Sequence, residues 1–140
     1  MARLFLTIVG MAYLSLAFWC SIDPAQTSRA VGFSLQPGSG DSEFLVIYGG
    51  LEFGLGLIFL WPLYRRDELL FSLRVCLIVH GCLAVFRTAS FVLFTGIGKT
   101  TCGLAATEWT IFALSLAAWR FHGQQAFDSE QEPGPPRPPS

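Results

Sequence analysis

Four separate runs of roughly 20 apolar residues, nearly free of charge, constrain this chain of 140 residues more than any other feature. A hydrocarbon core about 30 Å thick is crossed by a helix of about that length. The first run, 4–22, carries no charge. The second, 44–64, carries only Glu52; the third, 69–94, holds Arg74, His80 and Arg87; the fourth, 101–121, holds Glu108 and, near its end, Arg120. In lipid every backbone N–H and C=O must be bonded internally, so these runs are helices rather than open strands.

Composition agrees. The chain is 52% hydrophobic and 14% charged, against about 25% charged in a soluble domain. Its formal net charge of −1 supplies no basic field for nucleic acid. The expected fold is an all-α bundle of four transmembrane helices, up-down-up-down, occupying 1–122. A disordered, proline-rich cytoplasmic tail is expected over 123–140. The first run exceeds the apolar core of a secretory signal and no small-residue cleavage site follows it, so it is read as a retained span.

Basic residues set the expected orientation. Arg3, Arg65, Arg66, Arg120 and Arg137 fall on one side with Arg74 close by, and only Arg29 and Lys99 on the other. The positive-inside rule then makes both termini cytoplasmic. The short connections 65–68 and 95–100 make spans two and three, and three and four, antiparallel neighbours. In the longer outer loop, 23–43, a short amphipathic piece is expected around 30–35.

Ionisable groups inside a membrane face the bundle interior and have partners. At 1.5 Å per residue, Glu52, Arg87 and Glu108 lie about 12, 10 and 10 Å in from the same ends of their helices. One arginine between two carboxylates is chemically sensible, because its planar fork can hold carboxylates bidentately. If Arg87 takes one partner fully, the other acid is expected to hold a proton. The cluster is a site for a polar head group or a proton carrier on one reading, and structural glue between three helices on the other. Ser90, one turn beyond Arg87, is expected to hydrogen-bond the same partner, and Tyr48, one turn before Glu52, to place its hydroxyl nearby. Gly49, Gly50 and Gly54 offer the small-residue spacing of close helix packing, or a groove beside Glu52.

Other signals are weaker. Cys76 and His80 have ligand spacing, but nothing completes a metal site, so no metal and no cofactor are expected, and His80 is read as a hydrogen-bonded interior histidine. The glycines of 95–101 lack the first glycine of a phosphate loop and follow no strand. Cys20 and Cys102 fall at the same membrane face, where a bridge is sterically conceivable.

The segment Tyr48-Gly49-Gly50-Leu51-Glu52-Phe53-Gly54, with Arg87-x-x-Ser90 and Glu108 downstream, resembles small bacterial four-helix membrane proteins catalogued as a domain of unknown function, loosely DoxX-like. Glu43, Tyr48, Gly49, Gly50, Arg87, Ser90 and Glu108 match positions expected of that group across roughly 4–121. The resemblance implies the fold and the importance of Arg87, and brings no activity.

The leading expectation is a non-enzymatic protein of the bacterial inner membrane. It would bind a lipid-like or small polar ligand, or a partner membrane protein, around Arg87, with Glu52, Glu108, Ser90 and Tyr48 orienting it. Membrane lipids are its expected surroundings, and a homo-oligomer is open. The alternatives are a proton-coupled transport module, which four helices would form only as an oligomer, and a small membrane enzyme acting on a quinone or lipid with His80 or a carboxylate as acid or base.

Overall fold

Runs of apolar residues bounded by Asp, Gly and Pro become five helices in the computed structural model, which describes the backbone of residues 1–131 and the side chains of 1–121. They are α1 (Ala2–Ile22), α2 (Pro24–Ala30), α3 (Ser39–Leu63), α4 (Leu69–Leu93) and α5 (Lys99–Gln131). A single 3-10 turn, Arg66–Glu68, leads into α4. Among the described residues there is no strand. Four segments are long and apolar enough to cross a membrane: Ala2–Ile22, Ser39–Leu63, Arg66–Leu93 and Lys99–Phe121. The chain is an all-α, four-span, up-down-up-down integral membrane protein.

Three boundaries differ from the sequence reading. Helix α2 lies at Pro24–Ala30 rather than around 30–35. Asp23 caps it, its carboxylate accepting from the Gln26 N–H at 3.0 Å, and proline occupies the first turn. Gly32, at φ +88°, turns the chain out of this helix while the Phe33 N–H returns to the Ser28 carbonyl at 2.8 Å. Helix α3 begins at Ser39 rather than 44, because the Asp41 carboxylate accepts from the Gly38 N–H at 3.1 Å and anchors a polar first turn. Helix α5 continues to Gln131, through residue types such as Ala and Gln that favour helix. The remaining proline-rich stretch of the expected tail, 132–140, lies outside the described residues.

The main partner of α3 is α1, and that of α5 is α4. The sequence reading made α3 a neighbour of α4. Their short connection does enforce opposite directions, but close approach is decided by glycine. A Cβ on Gly10 would lie 2.7 Å from Leu60 Cγ and 3.0 Å from the Gly56 carbonyl oxygen; one on Gly56 would lie 2.8 Å from Leu14 Cδ2. Backbone meets backbone there, and no side chain fits between.

The two helix pairs join in the half of the bundle that carries the chain's beginning. Leu6, Val9, Phe59, Leu73 and Cys76 form the buried core, with Ile111 and Trp119 of α5 against it. Polar backbone in this half is satisfied across helices. Pro62 has no N–H to give the Ile58 carbonyl one turn earlier, and the buried Ser72 hydroxyl of α4 donates to that carbonyl at 2.8 Å. Arg3 donates in turn to the Pro62 carbonyl at 3.1 Å. Ile8, Phe18, Val85, Phe86 and Val92 point outward, as lipid-facing residues should.

Candidate functional site

On α4 the interior stripe runs Leu73, Cys76, His80, Ala84, all buried, and then reaches Arg87. On α3 the stripe runs backward from Phe59 through Leu55 to Glu52. The rings of Phe59 and His80 lie 6.1 Å apart and tie the two stripes together. Glu52 and Arg87 are each seven residues further from that contact, about 10 Å in the same direction because the helices are antiparallel. They therefore stand at one level. Glu108 is fixed there too, since α5 meets α4 where Phe112 closes on Gly81; a Cβ on Gly81 would lie 3.2 Å from the Phe112 ring.

The arginine takes one acid completely. Arg87 Nε donates to Glu108 Oε2 at 2.9 Å and Nη2 donates to Oε1 at 2.7 Å, a bidentate fork. The side chains are 26% and 14% exposed, so the pair opens partly to the bundle's surroundings although it sits well inside the apolar zone. The second acid is left out. Glu52 Oε2 is buried and, among the described residues, no group hydrogen-bonds to it.

Below this layer lies a second polar contact, made by the expected interior histidine with a partner that the sequence reading missed. His80 Nδ1 lies 2.9 Å from the Cys76 carbonyl, which can only accept, so the proton is on Nδ1. Nε2 then accepts from the Tyr13 hydroxyl at 3.1 Å. The signal available was weak: one tyrosine in a first span that also carries Thr7, Ser15 and Ser21, facing the one histidine of the third. His80 is a satisfied interior histidine.

Two expected helpers make other bonds. Ser90 does not reach the partner of Arg87; its hydroxyl donates to the Arg87 carbonyl at 2.8 Å, the local bond open to any serine in a helix. Tyr48 does not bond Glu52. Its ring stacks on Phe44, with centroids 4.5 Å apart, and leans on Phe33 of the outer loop at 5.9 Å.

The glycines divide as well. Gly49 is a packing glycine, for its Cβ would lie 2.7 Å from Ser21 Oγ of α1. Gly50 and Gly54 are not, since a Cβ on either meets nothing within 4 Å. Two residues from Glu52 on a helix is the far side, so Gly54 leaves no groove beside the acid. The close approach assigned to them belongs to Gly10 and Gly56. Residues Leu45–Leu51, containing both glycines of the Tyr-Gly-Gly segment, form a π-helical stretch that ends at Glu52. Such stretches are uncommon and concentrate at functional sites.

Cys20 and Cys102 are unbridged, Cys20 buried and Cys102 exposed. Among the described residues no cluster of His, Cys, Asp or Glu is arranged to hold a metal ion. Comparison with known proteins gives one match: the family model described as a domain of unknown function, DUF4345, covers residues 1–119. No curated protein and no solved structure matches the chain.

Proposed function

The chain belongs to that family of unknown function, which lends it no activity, and we propose from the geometry that it is a non-enzymatic, multi-pass inner-membrane protein that binds a lipid-like or small polar ligand at the Glu52–Arg87–Glu108 level. The observation that carries this reading is the orphaned carboxylate oxygen of Glu52. Glue between helices would have no need of a third ionisable group without a partner. An unpaired buried polar atom is costly, and one more costly still in a hydrocarbon zone. The π-helical stretch ending at Glu52 supports the same assignment, and the partly exposed Arg87–Glu108 pair offers a way in.

Both termini are cytoplasmic in this proposal. Among the described residues, Arg3, Arg65, Arg66 and Arg120 mark one end of the bundle and only Arg29 and Lys99 the other, the bias that holds basic loops on the inner side. Native mass spectrometry of gently purified wild type beside Arg87→Ala tests the reading. A discrete bound mass on wild type, absent from a still-helical variant, is the expected result. Bulk phospholipid alone on both, or a co-purifying protein held equally by both, would make the charges structural.

A further inference from the structure

The interior polar groups of this bundle are satisfied one by one, and the exception specifies what is missing. Ser72 serves Ile58, Tyr13 serves His80, His80 serves Cys76, Ser115 serves Phe112, and Glu108 has both oxygens filled by Arg87. Only Glu52 Oε2 is buried without a partner among the described residues. A carboxylate oxygen accepts, so the missing group is a donor. Charge narrows it further. Arg87 and Glu108 cancel, so Glu52 alone in a low-dielectric zone would hold a proton, and a ligand that draws it out as a carboxylate must bring a compensating positive charge along with its donor, which a hydroxyl does not. A protonated primary amine fills both.

The arginine adds a second requirement. Its fork to Glu108 uses Nε and Nη2, so the N–H groups of Nη1 stay free for an oxygen acceptor. Access is lateral, since Arg87 is 26% exposed at a level about 10 Å inside the helix ends. Resting on the ligand-site reading above, we propose that the ligand carries a primary ammonium group, held by Glu52, beside an oxygen acceptor that meets Arg87. An aminophospholipid head group has this chemistry, and so does a small free amine such as ethanolamine phosphate.

Bilayer discs of stated composition test it. Wild type, Glu52→Gln and Glu52→Asp are placed in discs holding equal parts phosphatidylethanolamine and phosphatidylcholine, and the lipid retained on release into the gas phase is weighed. The quaternary head group of phosphatidylcholine has no N–H to donate. Wild type should favour phosphatidylethanolamine by about tenfold, Glu52→Gln should lose that preference, and Glu52→Asp should keep part of it. Retention of ethanolamine phosphate by lipid-poor wild type, with no preference between the two lipids, would give the same chemistry a soluble source. Equal retention of both lipids with no uptake of the free amine, or a preference unchanged in Glu52→Gln, would overturn the proposal. A non-amine molecule retained in an Arg87-dependent way would overturn it while leaving the binding site standing. Retention of nothing would overturn both. Equal helix content by circular dichroism guards against a misfolded variant.

Discussion

Arg87 is the residue on which the polar layer depends, because among the described residues it is the cation at the level of the acids of two other spans and holds Glu108 in a bidentate fork. Its removal strands Glu108, while Glu52 has no partner to lose, so Arg87→Ala should destabilise by about 2–3 kcal/mol, below the full figure for a buried pair because the fork is partly exposed. Adding Glu108→Gln to Arg87→Ala should recover part of that loss, a coupling that a thermal-unfolding cycle in mild detergent would read directly. Glu52→Gln should change ligand-free stability by less than about 0.5 kcal/mol, since it breaks no contact in the chain. Equal destabilisation by Arg87→Ala and Glu52→Gln would contradict this division of roles. At this scale the sequence is a fair guide to level and a poor one to pairing. Residue counting puts Glu52, Arg87 and Glu108 at one depth, but nothing in a single chain says which acid the arginine takes. Nor does a spacing of three or four residues tell Ser90 to bond its own helix, or Tyr48 to prefer Phe44.

Helix-scale stability rests on how closely backbones approach and on how their interrupted ladders are repaired. Gly10→Ala and Gly56→Ala each drive a methyl into the facing helix and should destabilise by about 1–3 kcal/mol. Gly54→Ala meets open space and should be neutral or stabilising by up to about 1 kcal/mol. Comparable losses at all three sites would refute the crossing at Gly10 and Gly56. The repair of α3 is testable in the same way. Ser72→Ala should lower stability by about 1 kcal/mol, and by less when Pro62→Ala restores the N–H that Ile58 lacks. The four spans were readable because length and hydropathy dictate them. Their ends were less so: α2 hangs on the Asp23-Pro24 pair and α3 on the turn at Gly38 and Asp41, cues of one or two residues beside runs of twenty. The glycine spacing pointed to the wrong pair because Gly-x-x-x-Gly on one helix does not reveal which glycine of another faces it.

As a whole, the molecule is two antiparallel helix pairs joined by a dry core in one half and a sparse polar layer in the other. The first half is where apolar packing fixes the fold, and the other is where the proposed ligand would sit. The proposed orientation rests on the basic residues and has its own check. In a background with the native cysteines replaced, Lys99→Cys should react with a membrane-impermeant maleimide on intact cells, and Arg66→Cys only after permeabilisation. The reverse pattern would invert the protein in the membrane.

The most direct test of the central claim, that a bound molecule completes Glu52, compares unfolding temperature before and after exhaustive exchange into lipid-free detergent, for wild type and Glu52→Gln side by side. A ligand bound only by the folded state stabilises by mass action, so stripping it should lower the wild-type value. Glu52→Gln, with the ligand's anchor gone, should lose markedly less. An equal fall in both proteins would mean that stripping removes general solvation by lipid, and that nothing specific is held at Glu52.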